Sequence, residues 1–174
     1  MGYLRMKRAE IDKTGQQKLI LDACCGGRRF WFNKNHPLTL YIDNRGEPKG
    51  CSKHRPNFSI QPDVVMDFRN LDLPENTFKL IVWDPPHLVR VGKNARLAIE
   101  YGSINKEEWQ NDLARGFNEL WRVLSTHGTL IFKWSETDIP IKEVLACFSE
   151  QPLFGHRTTT RGTTIWLAFF KEEE

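Results

Sequence analysis

Four carboxylates stand at or beside the ends of short apolar runs: Asp22 after Leu19-Ile20-Leu21, Asp43 after Leu40-Tyr41-Ile42, Asp67 after Val64-Val65-Met66, and Asp84 after Ile81-Val82-Trp83. An acid at the carboxyl end of a strand is an acceptor shown at an edge, where open α/β sheets hold ligands. Asp22 leads into Ala23-Cys24-Cys25-Gly26-Gly27, a loop that lets backbone N–H groups approach a bound anion. Asp43 follows about 20 residues later, the spacing from which an acid accepts both hydroxyls of a ribose. Asp67 offers an acceptor for an amino group, and its neighbour Phe68 offers a ring face. Asp84-Pro85-Pro86-His87 is the most specific of these signals. Two prolines after a buried strand cannot donate to a ladder, so the chain turns outward and shows the Asp84 carboxylate beside the Pro85 carbonyl. With His87 they make a clamp for a planar group bearing an NH2. A structural role stays open at each position: strand-turn glycines after Asp22, a turn Asp at 43, a core Phe at 68, a capped strand exit at 84.

The elements that must hold these residues follow from periodicity. Leu19–Ala23, Thr39–Asp43, Asp63–Phe68, Lys79–Asp84 and Gly128–Trp134 are short apolar or β-branched runs closed by turn residues, and they predict strands. Asn105, with Glu108 three residues on, predicts the cap of a helix whose buried face carries Trp109, Leu113, Phe117, Leu120, Trp121 and Leu124 and which stops at His127-Gly128. A second helix is expected over Ile141–Glu150, and a hairpin over Leu153–Thr159 and Thr163–Phe170 around Arg161-Gly162. Strands alternating with crossovers imply an α/β class, with a doubly wound, mostly parallel sheet, helices on both faces and a C-terminal antiparallel hairpin. Asn44 to Gln61 holds Gly46, Pro48, Gly50 and Pro56 where a crossover helix would sit, so a long loop is expected there.

A chain of 174 residues is read as a single domain over 1–174, with a basic extension over 1–17 and an acidic tail over 171–174. Hydrophobic residues at 40% and charged ones at 27% exclude a disordered or fibrous chain. No apolar run approaches the roughly 18 residues of a membrane span, and the N-terminus has no apolar secretory segment, so a cytoplasmic protein with reduced thiols is expected. The net charge of +3 leans mildly toward polyanions. Arg45, Lys53 and Arg55 in one segment, and Arg90, Lys93 and Arg96 in another, are candidates for tracking nucleic-acid phosphates; ordinary solvated loop charge is the alternative. Cys51-x-x-His54 with Cys24-Cys25 raises a zinc site, but adjacent cysteines are poor tetrahedral ligands and no metal is expected. Tyr101 offers a stacking face, and Lys133, at a strand end, is either a base or a solvated lysine.

Taken together, Asp-Ala-Cys-Cys-Gly-Gly, Asp43, Asp67 and Asp-Pro-Pro-His resemble the class I S-adenosylmethionine-dependent methyltransferases, specifically the amino-methyltransferases of the N6-adenine and N4-cytosine type. Their signature is [D/N/S]-P-P-[Y/F/W], and the resemblance runs from Leu19 to Phe170, including Leu73-Pro74-Glu75-Asn76-Thr77-Phe78 and the closing hairpin. It implies a Rossmann-like class I methyltransferase fold that uses S-adenosyl-L-methionine and needs no metal. By position, Asp22, Ala23, Cys24, Gly26 and Gly27 would surround the methionine part of the cofactor, Asp43 its ribose, and Asp67 with Phe68 its adenine. Asp84, Pro85, Pro86 and His87 would hold the target base. Arg28 stands where the loop often has its last Gly, and His87 replaces the usual aromatic. The implied activity is methyl transfer to an exocyclic amino group of a nucleic-acid base, adenine N6 first and DNA before RNA. The chain has no room for a large recognition region, which points to a protein partner that confers specificity or to a small-molecule or protein substrate. A non-catalytic nucleic-acid- or zinc-binding module is the reading from another class.

Overall fold

Continuous Leu, Ile and Val runs suit parallel strands inside a sheet, and the chain uses them so. The computed structural model describes residues 17–92, 95–159 and 162–173; residues 1–16 of the basic extension, Lys93 and Arg161 lie outside the described residues. The elements are β1 (Ile20–Asp22), β2 (Thr39–Asp43), β3 (Val64–Val65), β4 (Phe78–Trp83), α1 (Arg96–Tyr101), α2 (Trp109–Val123), β5 (Leu124–Ser135), α3 (Ile141–Leu145), β6 (Phe154–Arg157) and β7 (Thr164–Phe170). They build a seven-stranded sheet in the order β3-β2-β1-β4-β5-β7-β6. β1 to β5 pair in parallel, and β7 runs antiparallel to both β5 and β6. This is the doubly wound, mostly parallel sheet with a terminal hairpin that the sequence predicts. The strand order reverses between β1 and β4, which opens a crevice at their carboxyl ends.

Register sets the core. Leu40, Leu21, Ile81, Leu130 and Phe169 lie in one row across five strands and share one face. Onto that face α2 packs Leu113, Phe117, Leu120 and Val123, all fully buried, and Phe148 stacks on Phe117 at 4.4 Å between ring centroids. Val144 of α3 joins the same cluster.

Among the described residues the other face has no long helix to match α2, which corrects the expectation of helices on both sides. Residues 23–38 form turns only. Gly26 and Arg28 take positive φ, and the Asn33 side chain accepts the Asn35 N–H, local geometry that competes with a helix. Aromatic side chains cover the sheet instead: Trp31 lies edge-on to Tyr41 and Phe30 edge-on to Trp166. Leu80 and Ile131 on this face stay half-buried. The long loop expected over residues 44–61 is present, folded on itself by the Glu47–Ile60 and Ser52–Arg55 bridges.

Helix α2 differs from its prediction at both ends. Asn105 caps a preceding turn through Glu107 N–H, and the helix begins at Trp109. It ends at Val123 because Asn76 and Thr77 N–H groups take the Arg122 and Val123 carbonyls, while Lys171 Nζ takes those of Trp121 and Leu124. With its last carbonyls satisfied from outside, the chain enters β5 directly at Leu124. His127-Gly128 forms an irregularity inside β5, where His127 carries a φ of 60°. Helix α3 is shorter than expected, and no helix among the described residues is long and apolar enough to cross a membrane.

Candidate functional site

A cavity of about 360 Å³ opens at the carboxyl edge of the sheet, fed by the exits of β1 to β5, the start of β7 and the end of α1. Gly26, with a φ of +47° that suits a residue without Cβ, points its N–H at Asp43 Oδ2, 3.0 Å away. Asp43 is only 4% exposed. Its Oδ1 also accepts the Arg45 N–H and Nε–H at 3.0 Å, and Oδ2 accepts Arg45 Nη2 at 3.2 Å. Phe68 reaches the cavity because Gly116 of α2 lies against its ring: a Cβ at 116 would sit 2.4 Å from a Phe68 carbon.

At the end of β4, Asp84 Oδ2 accepts Lys133 Nζ at 2.5 Å. Pairing of Trp83 with Phe132 on β4 and β5 brings those two residues level, and pairing of Lys133 with Trp166 sets the indole beside them. Phe30, Trp166 and Tyr101 add three aromatic side chains to Phe68 in the cavity lining. Tyr101 Oη accepts a short hydrogen bond from Arg29 Nη1. Glu100, fully buried at the end of α1, accepts from Ser52 Oγ at 2.9 Å and Arg96 Nε at 3.1 Å, with Arg55 Nε at 3.3 Å. Burial alone would raise the Glu100 pKa, but these partners hold it below the usual range. Glu100 thereby fastens the loop over residues 44–61 to α1.

Of the residues singled out from the sequence, Cys24, Gly26, Gly27, Asp43, Phe68, Asp84 and Pro86 line this cavity together. Ala23 and Pro85 are buried next to it. Asp22 does not line it: the carboxylate is fully buried and accepts Trp31 Nε1 at 2.7 Å. Burial raises its pKa to about 7 against the Trp31 and Cys24 hydrogen bonds, and the nearby Asp84 and Asp43 charges add to the rise. Asp67 turns to Arg69, Oδ2 to Nη2 at 2.6 Å. Burial opposes its ionisation, but the Arg69 hydrogen bonds and charge lower its pKa. His87 packs edge-on to Trp134 at 6.1 Å, and burial lowers its pKa although the Asp84 charge works the other way.

Of the six basic residues expected to track phosphate, three are held by carboxylates of the fold. Arg45 is turned inward onto Asp43 and the Ile99 carbonyl, and Arg55 and Arg96 onto Glu100. Lys53 and Arg90 are exposed. Arg28 does not line the cavity. Its guanidinium bonds the Lys34 and Gln61 carbonyls and Asp63, and it lies 3.8 Å from the Tyr41 ring centroid. Among the described residues no three His, Cys, Asp or Glu side chains gather into a metal site. Burial, with neighbouring carboxylates, raises the Cys24 thiol well above its ordinary value and pushes Cys25 up to about 12, so both are protonated thiols at neutral pH.

Sequence reasoning missed Arg29, Phe30, Asn44, Glu100 and Trp166 as cavity residues and left Lys133 undecided. The antiparallel register of the closing hairpin is the signal that would have found Trp166, because it fixes which β7 residue faces Lys133.

No family model matches the sequence, and no curated protein does. Solved structures match in fold. The PH0226 protein from Pyrococcus horikoshii OT3 superposes with a TM-score of 0.58 at 14% identity, over 98% of this chain and 86% of that one. A TehB-like SAM-dependent methyltransferase from Corynebacterium glutamicum gives 0.52 at 14% identity, over 99% and 88%. The T. Thermophilus 16S rRNA N2 methyltransferase RsmC, solved with AdoMet and guanosine, gives 0.52 at 12% identity, over 91% of this chain and 36% of that one. The chain has the class I methyltransferase fold. On this fold the crevice between β1 and β4 is where a ligand is expected, and the cavity described above occupies it.

Proposed function

We propose that this protein is an S-adenosylmethionine-dependent methyltransferase acting on an exocyclic amino group of a nucleic-acid base, adenine N6 first and DNA before RNA. The observation that carries the reading is the Asp84-Pro85-Pro86 turn, whose carboxylate faces the same cavity as Asp43, Phe68 and the Gly26-Gly27 backbone. The donor and acceptor chemistry of the cavity fits the cofactor. Asp43 is an acceptor for a pair of ribose hydroxyls, Phe68 a ring face for adenine, and the Gly26-Gly27 backbone leaves room for the methionine part. The lining sets the Asp43, Asp84 and Glu100 carboxylates beside Arg29, Arg45 and Lys133, charges of both signs for a ligand that carries a sulfonium, an amine and a carboxylate. When bound, S-adenosylmethionine supplies an electrophilic methyl group on sulfonium.

Every other task falls to the chain. The lone pair of a base amino group is delocalised into its ring, so the nitrogen becomes nucleophilic only when its hydrogens are held and it pyramidalises. Lys133 engages Asp84 Oδ2, which leaves Oδ1 to accept one amino hydrogen, with the Pro85 carbonyl taking the other. Oδ1 then receives the proton that the amino nitrogen sheds once the methyl group has moved to it. Trp166, Phe30 and Tyr101 offer ring faces where the signature's aromatic residue is replaced by His87. Positioning and electrostatic stabilisation then supply most of the rate.

The test is transfer of labelled methyl from S-adenosylmethionine into duplex DNA, single-stranded DNA and RNA, side by side with Asp84→Ala. We expect label in one polymer and a loss of about 100-fold or more in the variant, with cofactor binding retained. Cofactor binding without label in any polymer would overturn the nucleic-acid reading in favour of a small substrate or a required protein partner.

A further inference from the structure

A second concavity, of about 640 Å³, lies on the outer side of the Gly26-Gly27 turn and shares Gly26, Gly27 and Arg29 with the cavity. Its charge differs, because the cavity sets Asp43, Asp84 and Glu100 against Arg29, Arg45 and Lys133. Arg28, Arg29, Lys34 and Arg55 line the second concavity, no Asp or Glu does, and the remaining polar side chains include Asn35, Asn57 and Ser59. Of these cations, among the described residues, Arg28 is paired one-to-one with a carboxylate and the others are not. Arg28 has Asp63 at 2.9 Å, but Arg55 shares Glu100 with Arg96, and the Arg29 partner is the neutral Tyr101 hydroxyl. Lys34 and Asn57 are exposed at its rim. A cavity of balanced charge thus opens directly onto a basic groove.

We infer that this groove holds the phosphodiester backbone of a single nucleic-acid strand whose target base enters the cavity. The inference rests on the nucleic-acid reading above and adds to it the path of the strand. Arginine forks and a lysine point charge, set among neutral amides and a hydroxyl, are the groups that engage phosphate oxygens without reading sequence. The continuity at Gly26, Gly27 and Arg29 lets the backbone pass along the groove while one base turns inward. A base inside a duplex is stacked and paired, so a strand that is already single needs no extrusion to place one in the cavity. Of the six basic residues picked out from the sequence, only Arg55 belongs to this groove.

The experiment uses the full chain and labelled oligonucleotides of about 12 nucleotides, single-stranded DNA and RNA and a DNA duplex, with binding followed by fluorescence anisotropy between about 50 and 200 mM salt. Two variants outside the cavity shift the charge in opposite directions, Lys34→Glu and Asn57→Lys. For the single strand, Lys34→Glu should weaken binding several-fold and reduce the slope of log K against log salt by about 0.7 or more, and Asn57→Lys should steepen it by a similar amount. Both should bind S-adenosylmethionine as the wild type does. If the wild type binds and methylates a strand but neither variant changes the slope, the groove assignment is wrong and the methylation reading stands. A wild-type protein that neither binds nor methylates any polymer overturns both. Tighter binding of the duplex than of the single strand overturns the single-strand path.

Discussion

Replacing Asp22 by Asn should stabilise the protein in a pH-dependent way, and the size of the effect follows from burial. The carboxylate lies fully inside the fold and titrates at about 7 instead of the ordinary 3.8. A raised folded value means that the native state binds the proton more tightly than the unfolded chain. The associated stability is therefore complete below about pH 4 and is lost as pH rises through 7. The gap between the two values, at about 1.4 kcal/mol per pH unit, gives a loss of about 4 kcal/mol by pH 8. Asn keeps an oxygen for Trp31 Nε1, gives up the long 3.4 Å acceptor for the Cys24 N–H at every pH, and carries no charge, so Asp22→Asn avoids the pH-dependent loss. Urea unfolding at pH 4, 5, 6, 7 and 8 would measure it. The difference in unfolding free energy, variant minus wild type, should climb by a few kcal/mol between pH 4 and pH 8. A difference that stays flat across this range would refute the reasoning. A difference that falls with pH would show that the carboxylate is stabilised as an anion.

Two further substitutions probe the backbone around the site. Gly116→Ala adds a helix-favouring residue worth about 1 kcal/mol, but its Cβ would meet Phe68 carbons at 2.4 and 2.5 Å. Overpacking should outweigh propensity, giving a net loss of about 1 to 2 kcal/mol in thermal or urea unfolding. It should also weaken S-adenosylhomocysteine binding by calorimetry, since Phe68 is displaced. At position 28 the backbone is left-handed, with a φ of 53°. Arg28→Ala removes the guanidinium bonds and keeps the strain, whereas Arg28→Gly removes both, so Gly should be the more stable variant by about 1 kcal/mol in urea unfolding. Equal stability would mean that the loop carries no such strain.

The parts of this protein that could be read from sequence are those fixed by local chemistry. Apolar runs named the strands, and Pro85-Pro86 fixed the exit of β4 with Asp84 at the edge. The end of α2 was not legible, because it is set by Asn76 and Thr77, which reach its carbonyls from a turn some 45 residues earlier in the chain. Arg45, Arg55 and Arg96 read as surface charge since nothing local announces that Asp43 and Glu100 lie beside them in space. Arg28 read as a departure from a glycine pattern, and the backbone at that position is indeed left-handed; the anchors that offset the strain lie at Lys34, Gln61 and Asp63. Lys133 gained its place only through sheet register, which sequence alone does not fix across a long connection.

The uneven covering of the sheet runs from face to face. One face carries α2 and the Phe117–Phe148 stack, while the other rests on the turns of residues 23–38 and a few aromatic side chains, with Leu80 and Ile131 half-buried beneath them. Those turns also line the cavity with Cys24 to Gly27, Arg29 and Phe30, so the lighter cover and the candidate site share the same segment. A ligand held there would act as a rivet through it. Amide exchange should be faster in residues 23–38 than in α2, and occupancy of the cavity should slow it most in those turns, by mass action on their local opening.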